Sequence, residues 1–465
     1  MTGQDFVAAH PAQPTDDVET KKRSSSQNDE EGYPTKEVAP EEPHDPFGDE
    51  VGAAVQYKTM KWWQGAMVMI AENVSLGILS LPAVIAKVGL VGGLFAIIGL
   101  GLFTTYSGYV IWQFRMRYPQ CTNMGDVGEV MFGRFGREFF GAFYVIFCVF
   151  SAASHLLTFT IAMNVLTGHA TCTIVWGVVG LVIFSILTIP RTLKNVSFLS
   201  IVSFLSILSA VLLTIIALGI SPKAPADAME AAYHPTFPSA FNSISNAVFA
   251  YGGHVAWLSF ISELRHPEEF PKALITLQSI DITLYVVAAL TIYRYAGEDV
   301  PSPALSANGI IVRKVAWGIA MPTIIIAGVI FAHVTAKYVY LRMFAGTKYL
   351  HSRGLVATGS WIGLGVATWT ICWIIAASIP NFSDLLGFVS ALCGSWFSYG
   401  IPGIMWFYLN RGQWFKGGKN IGLALVNFAL VIIALVIFGV GLYASGYQMS
   451  INSTGSSWSC ADNSE

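Results

Sequence analysis

The segment Met67-Val-Met-Ile-Ala-Glu-Asn-Val-Ser-Leu-Gly-Ile-Leu-Ser-Leu-Pro82 is apolar, and a glycine interrupts it near its middle. A second segment of the same kind reads Ile244-Ser-Asn-Ala-Val-Phe-Ala-Tyr-Gly-Gly-His-Val-Ala-Trp257. Glycine weakens a helix and exposes backbone amide and carbonyl groups, which lipid cannot satisfy. Interrupted helices at matching positions in two halves of a chain are typical of the binding site of a secondary transporter. The two segments therefore predict a transporter.

The composition is that of a polytopic membrane protein. Hydrophobic residues make up 54% of the 465 positions and charged residues 12%, whereas a soluble domain has about 25% charged residues. Apolar segments of about 20 residues, long enough to cross a bilayer, recur along the chain. The first is too long and too internal to be a cleaved signal peptide. The sequence predicts eleven spans, near 63–86, 89–113, 138–167, 173–190, 195–220, 240–262, 273–296, 312–340, 357–379, 383–408 and 421–446.

The distribution of positive charge predicts the orientation. If the N-terminus is cytoplasmic, the cytoplasmic loops carry 15 Lys and Arg residues and the outer loops carry five, as the positive-inside rule requires. The odd number of spans then places the tail 447–465 outside, where Asn452 begins a glycosylation acceptor triplet. Cys172 and Cys460 also fall outside, so a disulfide between them is open to test.

Residues 1–57 differ from the rest of the chain. They contain 13 acidic residues and four basic ones and almost no apolar run, which predicts a disordered acidic cytoplasmic tail. One interpretation is a passive, solvated tail. The other is that Ser24–Ser26, behind the basic residues Lys21–Arg23, form a phosphorylation or ubiquitin signal that controls turnover.

The two glycine positions predict a zwitterion site. We expect an unwound stretch at Ser75–Gly77, followed by a half-helix whose free amides and positive dipole end suit a carboxylate. In the sixth span, Tyr251–His254 offers carbonyl groups at the end of a half-helix, which suit an ammonium. The alternative is that these glycines only allow close helix packing, as the motif Gly359-x-x-x-Gly363 is expected to do in the ninth span.

Three motifs resemble one family. Ser75-Leu-Gly-Ile-Leu-Ser-Leu-Pro82 resembles the G-S-G-I-L-x-L-P signature of the amino acid/auxin permease family. Ser262-Glu-Leu-Arg-His-Pro-Glu-Glu-Phe-Pro-Lys-Ala273 resembles its E-x-x-x-P-x-x-F-P-K-A stretch after the sixth span. Asp45-Pro-Phe-Gly-Asp49 and Tyr57-Lys-Thr-Met-Lys-Trp-Trp63 resemble the entry to the first helix in fungal neutral amino acid permeases of this family. The similarity covers residues 45–446.

The resemblance implies the fold of the bacterial leucine transporter. The chain is then an all-α polytopic membrane protein with two inverted repeats of five helices and one extra helix. Repeat one covers about 63–220, repeat two about 240–408 and the extra helix about 421–446, within a transporter domain 58–446. The resemblance also implies uptake of neutral amino acids at the plasma membrane.

The candidate site residues follow from the two breaks and from the resembled fold. Backbone amides of the first break would hold the substrate carboxylate, and the second break would receive the ammonium, with small glycines leaving room between apolar walls. The third helix borders the substrate in the resembled fold, and an acidic residue beside Arg265 is expected to form an ion pair or gate. The substrate-binding candidates are Asn73, Ser75, Leu76, Gly77, Phe249, Tyr251, Gly252, Gly253 and Trp257, and the wall or gate candidates are Phe147, Ser151, His155 and Glu263.

Two residues are candidates for proton coupling. Sodium-coupled relatives place an oxygen ligand one turn before the glycine break, where this chain has Ala71. Burying the carboxyl group of Glu72 at this depth in the membrane is costly, so a functional role is the default hypothesis. The imidazole of His333 could gain and lose a proton in an acid-outside gradient. The alternatives are that Glu72 caps exposed amides and that His333 hydrogen-bonds a carbonyl group. Asp281 is expected to face the bundle interior, with an unknown partner.

These observations predict a secondary active transporter that imports neutral, bulky aliphatic or aromatic L-amino acids together with protons across the lipid bilayer by alternating access. A non-transporting amino acid sensor and a vacuolar transporter are the alternatives. The chain has no phosphate-loop motif, no zinc-ligand spacing and no nucleophile elbow, so ATP drive is excluded and an enzyme is the poorer class. We expect no cofactor, no metal and no nucleic-acid partner.

Overall fold

A computed structural model describes residues 58–190, 196–225, 229, 235–344, 347, 349, 354–451 and 457–464. The predicted tail of residues 1–57 and the glycosylation candidate Asn452 lie outside the described residues. Within these ranges the structure is helical, and the only strand-like pairing is an isolated bridge between Met60 and Leu264.

Thirteen α-helices form the described part of the chain. The sixth predicted span consists of two short helices, α6 and α7. Between α11 and α12 the chain continues through the π-helical segments Ser390–Gly394 and Trp396–Gly400, so these elements form one span. The helices are α1 (Trp62–Val88), α2 (Leu90–Arg117), α3 (Met124–Thr167), α4 (Thr173–Leu187), α5 (Val196–Ile220), α6 (Phe237–Ala250), α7 (His254–Glu263), α8 (Phe270–Ala296), α9 (Ile310–Met343), α10 (Leu355–Ser378), α11 (Phe382–Val389), α12 (Ile401–Leu409) and α13 (Gly418–Ile451).

The helices have the length and polarity of membrane spans. Nine helical segments of the described ranges are long and apolar enough to cross a membrane, and α4 is a shorter apolar helix. Together with the α6–α7 pair they coincide with the eleven predicted spans. Large apolar side chains lie on the outer surface, such as Phe95 at 81% exposure and Phe198 at 68%. Lipid is the environment that suits such a surface.

α1 lies at the centre of the bundle. Every residue from Val68 to Pro82 is buried, and the helix packs against α8, α6 and α5. Polar side chains in this stretch, such as Glu72 and Asn73, are unfavourable in lipid and therefore require protein neighbours. α3 is kinked at Gly133, where the backbone is not helical, and it packs mainly against α9 and α10.

α1 is a continuous helix, so the predicted unwinding at Ser75–Gly77 is wrong. Gly77 lies where α1 crosses α6, and a Cβ atom there would be 2.5 Å from the Cα of Ala250. A glycine permits two helix backbones to approach this closely. The glycine therefore serves packing, which was the alternative, and the backbone amides of this stretch do not form the expected carboxylate site.

The glycines of α10 behave in the opposite way. A Cβ atom at Gly359 or at Gly363 would meet no described atom within 4 Å. The predicted packing role of this motif inside the chain is therefore wrong. A glycine spacing alone does not tell whether another helix lies opposite.

The sixth span is interrupted where the sequence predicts it. α6 ends at Ala250, α7 begins at His254, and the residues between them form a turn. The carbonyl of Ala250 lies at this end, so it has no amide of a following helical turn to accept from. The prediction of a break at this position is confirmed.

At the face where α1 begins, called here the N-terminal face, the chain before α1 pairs with the chain after α7. The Met60 amide donates to the Glu263 carbonyl over 3.1 Å, and the Arg265 amide donates to the Met60 carbonyl over 2.9 Å. These two hydrogen bonds tie the start of α1 to the end of α7. The two helix ends therefore form one connected element at this face.

At the opposite face, residues 457–464 form a C-terminal strap across the ends of α3, α4 and α10. Cys460 forms a disulfide with Cys172, which immediately precedes α4. The Trp458 indole packs edge-on against Trp373 at a centroid distance of 5.4 Å and donates to the Ser378 hydroxyl over 3.2 Å. The strap thus joins the far end of α10 to the beginning of α4.

The strap also reaches α3. The Asn164 amide donates to the side chain of Asn463 over 2.8 Å, and Asn463 donates to the Thr160 hydroxyl over 3.1 Å. The Thr173 hydroxyl donates to the Ala461 carbonyl over 2.6 Å. One short segment therefore holds together α3, α4 and α10.

We expect Cys460→Ser to lower the thermal unfolding midpoint of the purified protein in detergent. The disulfide closes a loop with a sequence separation of 288 residues, and a bond of this kind typically contributes about 2–4 kcal/mol. Reductant should lower the midpoint of the wild-type protein to the value of Cys460→Ser and should leave the variant unchanged. Equal midpoints for the oxidised wild-type protein and the variant would contradict a stabilising strap.

Candidate functional site

The candidate site is centred on the break between α6 and α7. In the turn, the Tyr251 amide donates to the Val248 carbonyl over 3.2 Å, and the Gly252 amide donates to the Phe249 carbonyl over 2.9 Å. The hydroxyl of Tyr285 on α8 lies 2.8 Å from the Ala250 carbonyl and 2.8 Å from the Asn73 carbonyl. A side chain of α8 therefore replaces the missing helical donor at the break and reaches α1 at the same time.

The Tyr251 side chain is held away from the centre of the break. Its hydroxyl donates to the Ile97 carbonyl on α2 over 3.0 Å, and its ring packs edge-on against Tyr285. The Tyr251 carbonyl lies 3.2 Å from Nδ1 of His254. The Tyr251 hydroxyl is therefore engaged by α2, and a role of Tyr251 toward the substrate stays a prediction.

His254, the first residue of α7, is held by α2. Its Nε2 atom lies 2.8 Å from the Ser107 hydroxyl and 3.1 Å from the Thr104 carbonyl. The imidazole packs on the Trp257 indole with ring centroids 3.8 Å apart. Because both ring nitrogens have partners, His254 fixes the start of α7 against α2.

The two glycines of the break face α3 and α1. A Cβ atom at Gly252 would lie 3.4 Å from Cζ of Phe147. A Cβ atom at Gly253 would lie 3.0 Å from Nε1 of Trp257 and would collide with the Asn73 side-chain oxygen. The structure thus brings together four predicted site residues, Asn73, Phe147, Gly253 and Trp257, around one short stretch of backbone.

Asn73 connects the break to α8. Its Nδ2 atom donates to Oδ2 of Asp281 over 2.9 Å, which identifies the partner that the sequence left unknown. The other side-chain atom, Oδ1, has no hydrogen-bond partner among the described residues. Nε1 of Trp257 also has no partner in the described part of the chain. The break is therefore lined by one buried acceptor and one buried donor without partners.

Ser75 faces α3. Its hydroxyl lies 3.0 Å from Nε2 of His155, whose Nδ1 lies 2.8 Å from the Ser151 carbonyl. Because a carbonyl oxygen only accepts, Nδ1 carries the proton and Nε2 of the neutral ring accepts from Ser75. Leu76, the next candidate, is buried and apolar. The wall candidate His155 thus contacts α1 directly, and Ser151 orients its ring through the backbone carbonyl.

The proton-coupling candidates have different neighbours. Neither carboxyl oxygen of Glu72 has a hydrogen-bond partner among the described residues, and the group interacts electrostatically with Tyr144 and Cys148 of α3. Nε2 of His333 lies 3.1 Å from the Pro190 carbonyl. This contact is of the type that the alternative describes, in which the imidazole hydrogen-bonds a backbone carbonyl group. Proton exchange between Glu72 and His333 stays a prediction.

The gate candidate Glu263 has a different partner from the expected one. Its carboxylate lies 3.6 Å from Nζ of Lys337 on α9, whereas Nε of Arg265 donates to the Thr59 carbonyl over 3.0 Å. Both contacts lie at the N-terminal face beside a cleft, which is lined by residues of α1, α3, α7 and α9 that include Tyr144 and Phe260. The Glu263 contact therefore links the broken span to α9.

Sequence reasoning did not single out Tyr285. The available signal was its spacing of four residues from Asp281, which places both side chains on one face of α8. One helical face thus contributes the carboxyl group that binds Asn73 and the hydroxyl that reaches the end of α6. In the described ranges no group of three or more His, Cys, Asp or Glu side chains is placed to hold a metal ion.

The central α1 and the broken α6–α7 span give the chain the fold of the leucine transporter. Two solved structures share this fold. MhsT, solved in complex with L-phenylalanine, matches with a TM-score of 0.58 at 13% identity and covers 83% of this chain and 100% of its own. Mhp1, a nucleobase-cation-symport-1 family transporter, matches with a TM-score of 0.50 at 14% identity over 84% of this chain and 92% of its own.

The sequence comparison assigns the family. The family model described as transmembrane amino acid transporter protein matches residues 58–446, and the chain belongs to this family. The N amino acid transport system protein of Neurospora crassa is 34% identical over 84% of this chain and 85% of that relative. Amino acid transporter AVT1H of Arabidopsis thaliana is 24% identical over 70% of this chain and 76% of that relative. The resemblance inferred from the motifs and the predicted fold are confirmed.

Proposed function

We propose that this transporter imports neutral, bulky L-amino acids together with protons, and that the amino acid binds at the α6–α7 break. The supporting observation is the pair of buried groups without partners beside Gly253, namely Oδ1 of Asn73 and Nε1 of Trp257. A buried polar group without a partner is costly. A bound zwitterion supplies a partner to each of these two groups, because its ammonium donates to Oδ1 of Asn73 and its carboxylate accepts from Nε1 of Trp257.

The helix ends at the break have matching polarity. α6 ends at Ala250 with its carbonyl groups and the negative end of its dipole, and α7 begins at His254 with its amides and positive end. Discontinuous helices in transporters bind charged groups in this manner. The carboxylate is therefore assigned to the start of α7 and the ammonium to the end of α6. Both substrate charges are then held at the same break.

The substrate side chain is assigned to the aromatic surface next to Gly252. Phe147 lies against this glycine and packs edge-on with Phe331 and Phe397 at centroid distances of 6.4 Å and 6.0 Å. A surface of rings favours a large apolar side chain. His254 has partners on both ring nitrogens, so it is not available to neutralise an acidic substrate side chain. These features support a neutral, bulky substrate.

Charge and the disulfide support a location. The excess of Lys and Arg in the loops on the side of the N-terminus supports a cytoplasmic position for that side. Cys172 and Cys460 then face an oxidising compartment, where disulfides persist. We propose the plasma membrane, with the strap outside the cell.

Uptake into proteoliposomes tests the proposal. The purified protein should accumulate labelled leucine or phenylalanine when the outside is acidic, with no requirement for sodium. Arginine and glutamate should not compete. Saturable binding without uptake would favour the sensor, and uptake that depends only on sodium would contradict proton coupling. A fluorescent fusion seen on the vacuole rather than the cell surface would contradict the proposed location.

A further inference from the structure

Asp281 is an acidic side chain at the centre of the bundle without a cationic partner. It is 0% exposed, its Oδ2 accepts from Asn73, and its Oδ1 has no hydrogen-bond partner among the described residues. The salt bridges formed in the described ranges do not include it. Burial of an isolated carboxylate is strongly unfavourable, and an ionisable group at this depth is a functional hypothesis by default.

The groups around Asp281 do not supply a positive charge. Tyr251 and Tyr285 are the ionisable side chains that interact with it, and both are neutral phenols at physiological pH. On α7, His254 is turned to α2, and on α1, Glu72 interacts with α3. The sequence of α5, which also packs against α8, contains no ionisable side chain. α2 faces α8 with Gly101 and Thr104. The arginines of α2, Arg115 and Arg117, lie in its last turn, where Arg115 donates to the Pro119 carbonyl. A proton is therefore the species that neutralises Asp281 when the bundle is closed.

The hydrogen bonds around Asp281 fit the protonated form. A protonated carboxyl group has one O–H donor and one oxygen that only accepts. Oδ2 accepts from the Asn73 amide, so the proton belongs on Oδ1. The charged form requires that water reaches the carboxylate.

We propose that Asp281 binds the proton that is transported with the amino acid, and this proposal rests on the proton-coupled uptake proposed above. From the outer solution a proton adds to the carboxylate and forms an O–H bond at Oδ1. The neutral group is then buried as α8 closes on α1. On the inner side the O–H bond breaks and the proton passes to water.

The side chain of Asn73 links this proton site to the amino acid. Nδ2 contacts Asp281, while Oδ1 faces the α6–α7 break and is the atom to which the ammonium is assigned. Tyr285, one turn after Asp281, contacts the backbone of both α1 and α6. Loss of the proton therefore changes the hydrogen bonding of the same amide that holds the substrate. Glu72 has no comparable contact with the break, since it faces α3.

The test compares Asp281→Asn with Asp281→Glu, Glu72→Gln and His333→Gln in proteoliposomes. Asn is isosteric with a protonated Asp, so Asp281→Asn should still exchange internal for external amino acid. It should no longer concentrate substrate in a pH gradient, and its exchange rate should not depend on pH. Loss of pH-driven accumulation in Glu72→Gln or His333→Gln, with retention of it in Asp281→Asn, would assign the proton to that residue and overturn the proposal.

The outcomes separate this proposal from the proposed function. If the wild-type protein shows no pH-driven uptake, the proposed function fails. If both the wild-type protein and Asp281→Asn show pH-driven uptake, the assignment of the proton to Asp281 is overturned. If Asp281→Asn lacks exchange because it misfolds, Asp281→Glu tests whether residue 281 carries the proton. It retains a carboxyl group and should accumulate substrate with a shifted pH midpoint, and an unshifted midpoint would overturn the assignment.

Discussion

Gly253→Ala should weaken amino acid binding and raise the KM of uptake by about tenfold to hundredfold. The added methyl group would lie 3.0 Å from Nε1 of Trp257 and would collide with Oδ1 of Asn73. These are the two atoms assigned to the substrate carboxylate and ammonium. A hydrogen bond to a charged group is worth about 1.5–3 kcal/mol, so losing one contact lowers the affinity by about tenfold to hundredfold. Uptake kinetics and substrate-induced thermal stabilisation measure this loss.

The matched control is Gly439→Ala in α13. A Cβ atom at this position would meet no described atom within 4 Å, and alanine favours a helix over glycine. This variant should keep the wild-type KM and the wild-type unfolding midpoint. A Gly253→Ala protein with the wild-type KM would show that the amino acid binds elsewhere.

Gly77→Val should abolish transport although the protein still inserts and purifies. A Cβ atom at this position would be 2.5 Å from the Cα and 2.7 Å from the Cβ of Ala250. The obstructing atoms belong to the α6 backbone and cannot rotate away, so α1 and α6 must move apart. Overpacking of this kind costs about 1–3 kcal/mol, and it displaces α1 at the site itself. Uptake and the thermal unfolding midpoint should both decrease.

Gly99→Val in α2 controls for the loss of a glycine from a transmembrane helix. Its Cβ atom would meet nothing within 4 Å among the described residues. Uptake by this variant should equal that of the wild-type protein. Normal uptake by Gly77→Val would mean that the crossing of α1 and α6 tolerates separation, contrary to the close approach at Ala250.

Much of the fold follows from local patterns. Apolar segments of sufficient length predict the spans, because a chain in lipid must satisfy its backbone groups within a helix. The break at Tyr251–Gly253 is also a local signal, since two adjacent glycines interrupt an apolar helix. The same reasoning was wrong at Gly77, where a single glycine in α1 meets α6. Whether a glycine breaks a helix or admits a neighbour depends on the segment that lies opposite.

The site depends far more on long-range contacts. Asn73 and Asp281 are 208 residues apart, and Ser75 and His155 are 80 apart. The sequence marks each of these side chains as polar and buried in an apolar span, and therefore in need of a partner. It does not tell which partner each one receives. Glu263 illustrates the error, because the nearby Arg265 was expected and Lys337 is the residue found.

The sequence by itself determined the membrane class, the spans, the break in the sixth span and the family motifs, since these depend on composition and on neighbouring residues. Only the tertiary structure decided that α1 is continuous, that Asn73 joins Asp281 to Gly253, and that the strap closes on Cys172. The physical reason is the same in each case. Hydrophobicity and backbone freedom act locally, whereas a hydrogen bond or a close helix crossing needs two surfaces that only folding brings together.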